Sequence, residues 1–92
     1  MNFMTEKFKC AAIRYELPDG TWSERRGRRH HEILKAIRDA GEIEYYKKKH
    51  EHGFIIGFPW SARFVSTEEA TEIAEERGIP MIGGVLTSED LW

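Results

Sequence analysis

The chain has 92 residues, 40 % apolar and 33 % charged, with one cysteine and a net charge of −2. This composition fits one small globular domain; it argues against a disulfide-built secreted scaffold and against strong general attraction to nucleic acid. No apolar run approaches the roughly 20 residues that span a bilayer, and the N-terminus lacks the basic and apolar segments of a signal peptide, so a cytosolic protein without a membrane partner is expected.

Met1 to Glu6 carries no pattern and reads as a frayed start. Lys7 to Glu16 (KFKCAAIRYE) reads as a strand with Phe8, Cys10 and Ala12 on one face and Ile13 and Tyr15 on the other, buried on both sides near Ala11. Pro18-Asp19-Gly20 supplies a turn, and Thr21 to Glu24 should return antiparallel with Trp22 anchoring the hairpin. Then comes Arg25-Arg26-Gly27-Arg28-Arg29-His30-His31, followed by an amphipathic helix whose Ile33, Leu34, Ile37 and Ala40 share a face and which stops at Gly41. Arginines at a helix N-terminus combine guanidinium forks with free backbone N–H groups; they make either an anion site or a solvated basic edge.

Glu42 to Lys49 is expected as a third strand through Ile43, Tyr45 and Tyr46, with His50-Glu51-His52-Gly53 turning it into Gly53 to Phe58 as a second hairpin. The clearest local grammar follows. Phe54, Ile56 and Phe58 alternate, Pro59-Trp60-Ser61-Ala62 breaks the run, and Arg63-Phe64-Val65 resumes it. Ser66 or Thr67 then starts a helix, Ser66-x-x-Glu69 has capping-box spacing, and Gly78 with Pro80 ends it. Ile79 to Val85 is a connector, and Thr87 to Trp92 reads as a short capped turn whose Leu91 and Trp92 fold back onto the body. The expected fold is α+β: a small antiparallel sheet of two hairpins with two main helices in a single domain.

Charge is uneven along the chain. Residues 1–52 carry 12 basic and 9 acidic side chains, a balance of +3, whereas 53–92 carry 2 and 7, a balance of −5. These are either two solvated faces or a basis for self-association, which would also extend the limited core of so small a domain. Four histidines raise a metal reading, but no zinc-type spacing accompanies them. Cys10 sits within a strand, and Glu68, Glu69, Glu72, Glu75 and Glu76 read as an exposed helix face, so neither a catalytic residue nor a metal ligand nor a cofactor is expected. What remains is binding. Arginines at a helix start, and the aromatics Phe54, Phe58, Trp60 and Phe64 near Arg63, are the ingredients that hold phosphates and stack bases, although most such aromatics serve a core.

Three motifs together resemble a family, the phage-encoded anti-Thoeris nucleotide sponges and their phage relatives. Arg29-His30-His31-Glu32-Ile33 resembles the family's Arg-His-x-x-Ile helix start. Gly53-Phe54 followed by Arg63-Phe64-Val65-x-x-x-Glu69-Ala70-x-x-Ile73-Ala74 resembles its central strand, turn and helix, and Leu86-x-Ser88-Glu89-Asp90-Leu91-Trp92 resembles its closing motif. Departures are the more apolar stretch Ile55 to Ala62, Thr67 where relatives tend to have Arg, His52 where they tend to have Gln, and Ser66 in place of Asn or Asp. The resemblance implies a homodimer or higher oligomer in the host cytoplasm that sequesters a cyclic nucleotide immune signal, glycocyclic ADP-ribose or a cyclic oligonucleotide, without cleaving it. It implies that Arg29 meets phosphate and Phe54 stacks a base, with His30, Arg63 and Ser66 completing the ligand-binding set. The competing expectation is a small nucleic-acid-binding or protein-binding adaptor.

Overall fold

A computed structural model describes residues 5–92. Four antiparallel strands, β1 (Lys7–Glu16), β2 (Trp22–Gly27), β3 (His50–Gly57) and β4 (Arg63–Ser66), form one sheet in the order β2-β1-β3-β4. The helices α1 (His30–Asp39), α2 (Ile43–Lys48), α3 (Thr67–Glu76) and the single turn α4 (Ser88–Leu91) complete an α+β domain. None is long and apolar enough to cross a membrane.

The expected first hairpin forms. Gly20 takes a φ of 88° after Pro18-Asp19, and Leu17 donates to the Thr21 carbonyl to close the turn. Trp22, however, does not anchor it: the ring is 42 % exposed, and its company is the Lys49 ammonium 5.5 Å from the ring centroid. Nor does β1 alternate uniformly. A bulge between Phe8 and Cys10 inserts one residue, so Phe8 faces Ile56 and Ala11 faces Phe54 on the same side of the sheet. Phe8 therefore joins Ala11, Ile13 and Tyr15 rather than Cys10 and Ala12, and the shift feeds two core clusters from one strand.

The second hairpin differs from expectation. Glu42 to Lys49 is not a strand; Ile43–Lys48 is helical, with Glu44 in the first turn and Lys47 and Lys48 in the last, as the helix dipole favours. Ile43, Tyr45 and Tyr46 all pack against the cluster of Ala11, Ile13, Tyr15, Ile33 and Ile37, and a helical turn brings the three to it together where a strand would send Tyr46 to the opposite face from Ile43 and Tyr45. His50 to Gly53, expected as a turn, lies inside β3, which pairs β1 on one side and β4 on the other. The hairpin is thus β3–β4, closed through residues 58–62.

All helices cover one face of the sheet. α1 and α2 pack over Ala11, Ile13 and Tyr15; α3 and α4 pack over Phe54, Ile56 and Val65. In α1, Ile33 and Ile37 are buried while Ala40, expected beside them, is exposed. In α3 the predicted cap is half realised: the Ser66 hydroxyl accepts from the Glu69 N–H at 3.2 Å, but the Glu69 carboxylate turns to Arg63 at 3.1 Å. At α4 the Asp90 carboxylate accepts from both the Thr87 N–H at 3.0 Å and the Thr87 hydroxyl at 3.1 Å, and Leu91 and Trp92 fold back onto the core as expected. Residues 1–4 of the expected frayed start lie outside the described residues, whereas Glu6 is held by a two-pronged ion pair to Arg63 at 2.9 and 3.1 Å.

Candidate functional site

The start of α1 is where distant parts of the chain meet. Arg29 is the N-cap, in extended conformation, and its guanidinium donates to the backbone oxygen of Trp92 at 2.5 Å. His30 next to it donates its backbone N–H toward the Ser88 hydroxyl at 3.4 Å, and its Nε2 lies 2.8 Å from the Gly53 carbonyl. A carbonyl only accepts, so Nε2 of His30 carries a proton. Gly53 is required there: a Cβ would come within 2.1 Å of the Val65 carbonyl and 2.5 Å of the Phe64 ring.

Phe54 follows and is fully buried. The His30 ring meets it edge to face at 5.1 Å, Phe8 at 5.8 Å, and Trp92 lies at 6.4 Å. This corrects the expectation that Phe54 stacks a base, because its ring has no face left for a ligand within the chain. The position in mid-strand of a central β3, facing α3 and α4, makes it a core residue.

A row of imidazoles extends from this junction. His52 stacks on His30 at 5.1 Å with the planes 9° apart, lies 5.4 Å from His50, and shares a 2.7 Å hydrogen bond with the Tyr46 hydroxyl through Nε2. Tyr46 in turn stacks on His50 at 4.0 Å, and His50 donates from Nδ1 to the Tyr46 carbonyl at 2.7 Å. Burial, reinforced by repulsion from His30 and His50, depresses His52 to about 4, so it is neutral at ordinary pH. Burial also raises the Tyr46 phenol above its usual value.

Beside this row is an open cavity of about 390 Å³ lined by His50, Glu51, His52, Ser66, Thr67 and Glu68. Thr67 donates its hydroxyl to the His52 carbonyl at 3.0 Å, locking β3 to the first turn of α3. The cavity therefore combines imidazole faces with the start of a capped helix, while its rim carboxylates, Glu51 and Glu68, suit hydroxyl donors rather than phosphate. Among the described residues no group of three His, Cys, Asp or Glu side chains converges to hold a metal.

Of the expected binding residues, Arg29, His30 and Phe54 come together, and Ser66 lines the adjoining cavity. Arg63 does not belong to the group. It begins β4, roughly 10 Å along the strand from Ser66, and its donors are taken by Glu6 and Glu69, which raise its pKa further. The basic run also divides: Arg25 donates to the Tyr15 hydroxyl at 2.8 Å and pairs with Glu42 at 3.3 Å, and Arg26 pairs with Glu24 at 2.8 Å, both from within β2. Arg28, Arg29 and His31 are left at the helix start. His52, Tyr46 and Thr67 were not foreseen as site residues; the i, i+4 spacing of Tyr46 and His50 was the available signal, hidden by reading residues 42–49 as a strand. Compared with family models, with curated proteins and with solved structures, the chain matches none.

Proposed function

We propose that this chain captures a cyclic nucleotide signal of bacterial antiviral defence in the host cytoplasm and holds it without cleaving it, as the anti-Thoeris resemblance implies. One observation carries the reading. The three stretches that bear the resemblance lie far apart in sequence yet join at one junction, through Arg29 to Trp92, His30 to Gly53 and His30 to Ser88, next to a cavity of nucleotide dimensions. Because Phe54 is enclosed, base contact falls to the His50 and His52 rings, ribose hydroxyls to Glu51 and Glu68, and phosphate to the amides of Thr67 and Glu68 and the positive start of α1. Both hydroxyls of the cavity are already engaged, Ser66 with Glu69 and Thr67 with His52, which supports holding rather than attack.

Capture of a scarce signal calls for a nanomolar dissociation constant, about −12 kcal/mol. One stacked base at about 1–3 kcal/mol and two charged contacts at about 1.5–3 kcal/mol each fall short, so a neighbouring subunit completes the pocket in a dimer or larger assembly. The test is titration with glycocyclic ADP-ribose and cyclic trinucleotides, reading depletion of free ligand and its intact recovery after heat denaturation. Depletion with full recovery supports capture; a converted product or no depletion rejects it.

A second reading, a nucleic-acid adaptor, draws on the helix-free face of the sheet, where Arg14 covers Phe64 at 4.9 Å and Lys49 covers Trp22. Anisotropy of a labelled single-stranded oligonucleotide tests it: titration with salt-dependent saturation favours the adaptor.

A further inference from the structure

β2 is an edge strand, and among the described residues no strand pairs with its outer side. The turn-closing bond from Leu17 to Thr21 fixes which residues of β2 face β1: hydrogen-bonded pairs alternate, so Thr21, Ser23, Arg25 and Gly27 point their N–H and C=O groups inward. Trp22, Glu24 and Arg26 point theirs outward, and their side chains are exposed on the helix-free face. Beside the edge, an open groove of about 410 Å³ is lined by Glu24, Arg25, Arg26, Gly27, Glu32, Ile33 and Ala36, which leaves room for another strand under α1.

An antiparallel copy of the same strand meets strict conditions here. Outward-facing groups must oppose outward-facing groups, which leaves only registers that differ by two residues. One places Glu24 opposite Glu24 of the copy, and another places Arg26 opposite Arg26; both set like charges face to face. The register between them is centred on Arg25 and sets Glu24 of each chain opposite Arg26 of the other. In that arrangement two ion pairs form across the seam. Arg25, which meets itself on the helix side, is already held by Glu42 and Tyr15.

We infer that β2 pairs with β2 of a second copy in this register, joining two sheets into one continuous eight-stranded sheet. Charged side chains on an edge ordinarily deter pairing; here their order, Glu then Arg two residues later, admits one partner, the same strand reversed. The pairing deepens the self-association within the proposed function and rests on that part of it, but it is independent of the ligand's identity.

Cross-complementation tests it. Glu24→Arg alone and Arg26→Glu alone each create like-charge pairs across the seam and should weaken association at least roughly tenfold in sedimentation velocity. Mixed in equal amounts, the two variants restore opposite charges only between unlike chains and should form a heterodimer, an outcome the ion pair within each chain cannot produce. Glu24→Pro removes an outward N–H while leaving the β1 ladder whole, and should also give monomers with unchanged circular dichroism. A wild-type chain that is monomeric, single variants that keep the wild-type mass, or a mixture that stays monomeric would overturn the inference. Ligand capture with mass insensitive to these changes would overturn the seam alone, and a dimer that captures no cyclic nucleotide would overturn the ligand reading alone.

Discussion

Two polar clusters flank the core on the helix-bearing face, and they are built to opposite ends. In the first, Tyr15, Arg25 and Glu42 close on one another: the Tyr15 hydroxyl donates to Glu42 at 2.5 Å and accepts from Arg25. Charges of opposite sign meet, and α2 is tied to the hairpin. In the second, His30, His52, His50 and Tyr46 form a row of like groups that repel when protonated and that opens into a cavity. The first cluster satisfies itself and stabilises; the second leaves the His50 and His52 side chains at the wall of a cavity. The same β1–β3 ladder supports both, since Tyr15 faces His50 and Ile13 faces His52 across it.

The largest expected effect falls on Phe54, the residue that underlies the second cluster. Phe54→Ala removes a fully buried ring against which His30 is packed and should cost about 3–5 kcal/mol in a denaturant titration, whereas a base-stacking role would leave the transition in place and lower binding alone.

A smaller effect separates the clusters by pH. His52 titrates near 6.5 when unfolded and about 4 when folded, so its contribution is complete above the unfolded value and is lost as pH falls from 6.5 toward 4. With allowance for its partial exposure the loss should be roughly 2 kcal/mol. Glu42 has its carboxyl held below its usual value by Tyr15 and Arg25, so the first cluster keeps its contribution until the pH drops below about 4.5 and through the folded pKa. Stability profiles of His52→Asn and Glu42→Gln should flatten these two windows separately; identical profiles would erase the distinction.

Tyr15→Phe should cost about 1 kcal/mol by freeing the Arg25 and Glu42 contacts and leave ligand capture unchanged. Ser66→Ala removes the α3 cap for a similar cost of about 1 kcal/mol, but it also alters the cavity wall and should raise the dissociation constant of any captured nucleotide, as read by calorimetry.

Elements with local chemical signals were legible in the sequence: the Pro18 to Gly20 turn, the Ser66 cap, the Gly78 stop and the Thr87–Asp90 pair all act over a few residues. Ile43 to Lys48 was not, because Ile43 and Tyr45 fit a strand's alternation while Tyr46 fits a helical turn, and packing against the distant β1 and α1 core residues decides between them. Within the site, Arg29 and His30 stood out as a helix start, but their ties to Trp92 and Gly53 are long-range and leave no local trace. Phe54 illustrates the converse, an aromatic whose sequence context fits a ligand contact and whose place in a central strand makes it core.

The bulge at Lys9 has a consequence for comparing this chain with any other. Residues before it and after it obey alternation with opposite phase, so even-numbered Phe8 shares the core-facing side with odd-numbered Ala11, Ile13 and Tyr15. A relative lacking the extra residue would keep the same inward side chains only with a one-position gap at this point. An ungapped alignment would equate its buried N-terminal positions with solvent-facing ones here, and would make a shared core look like divergence.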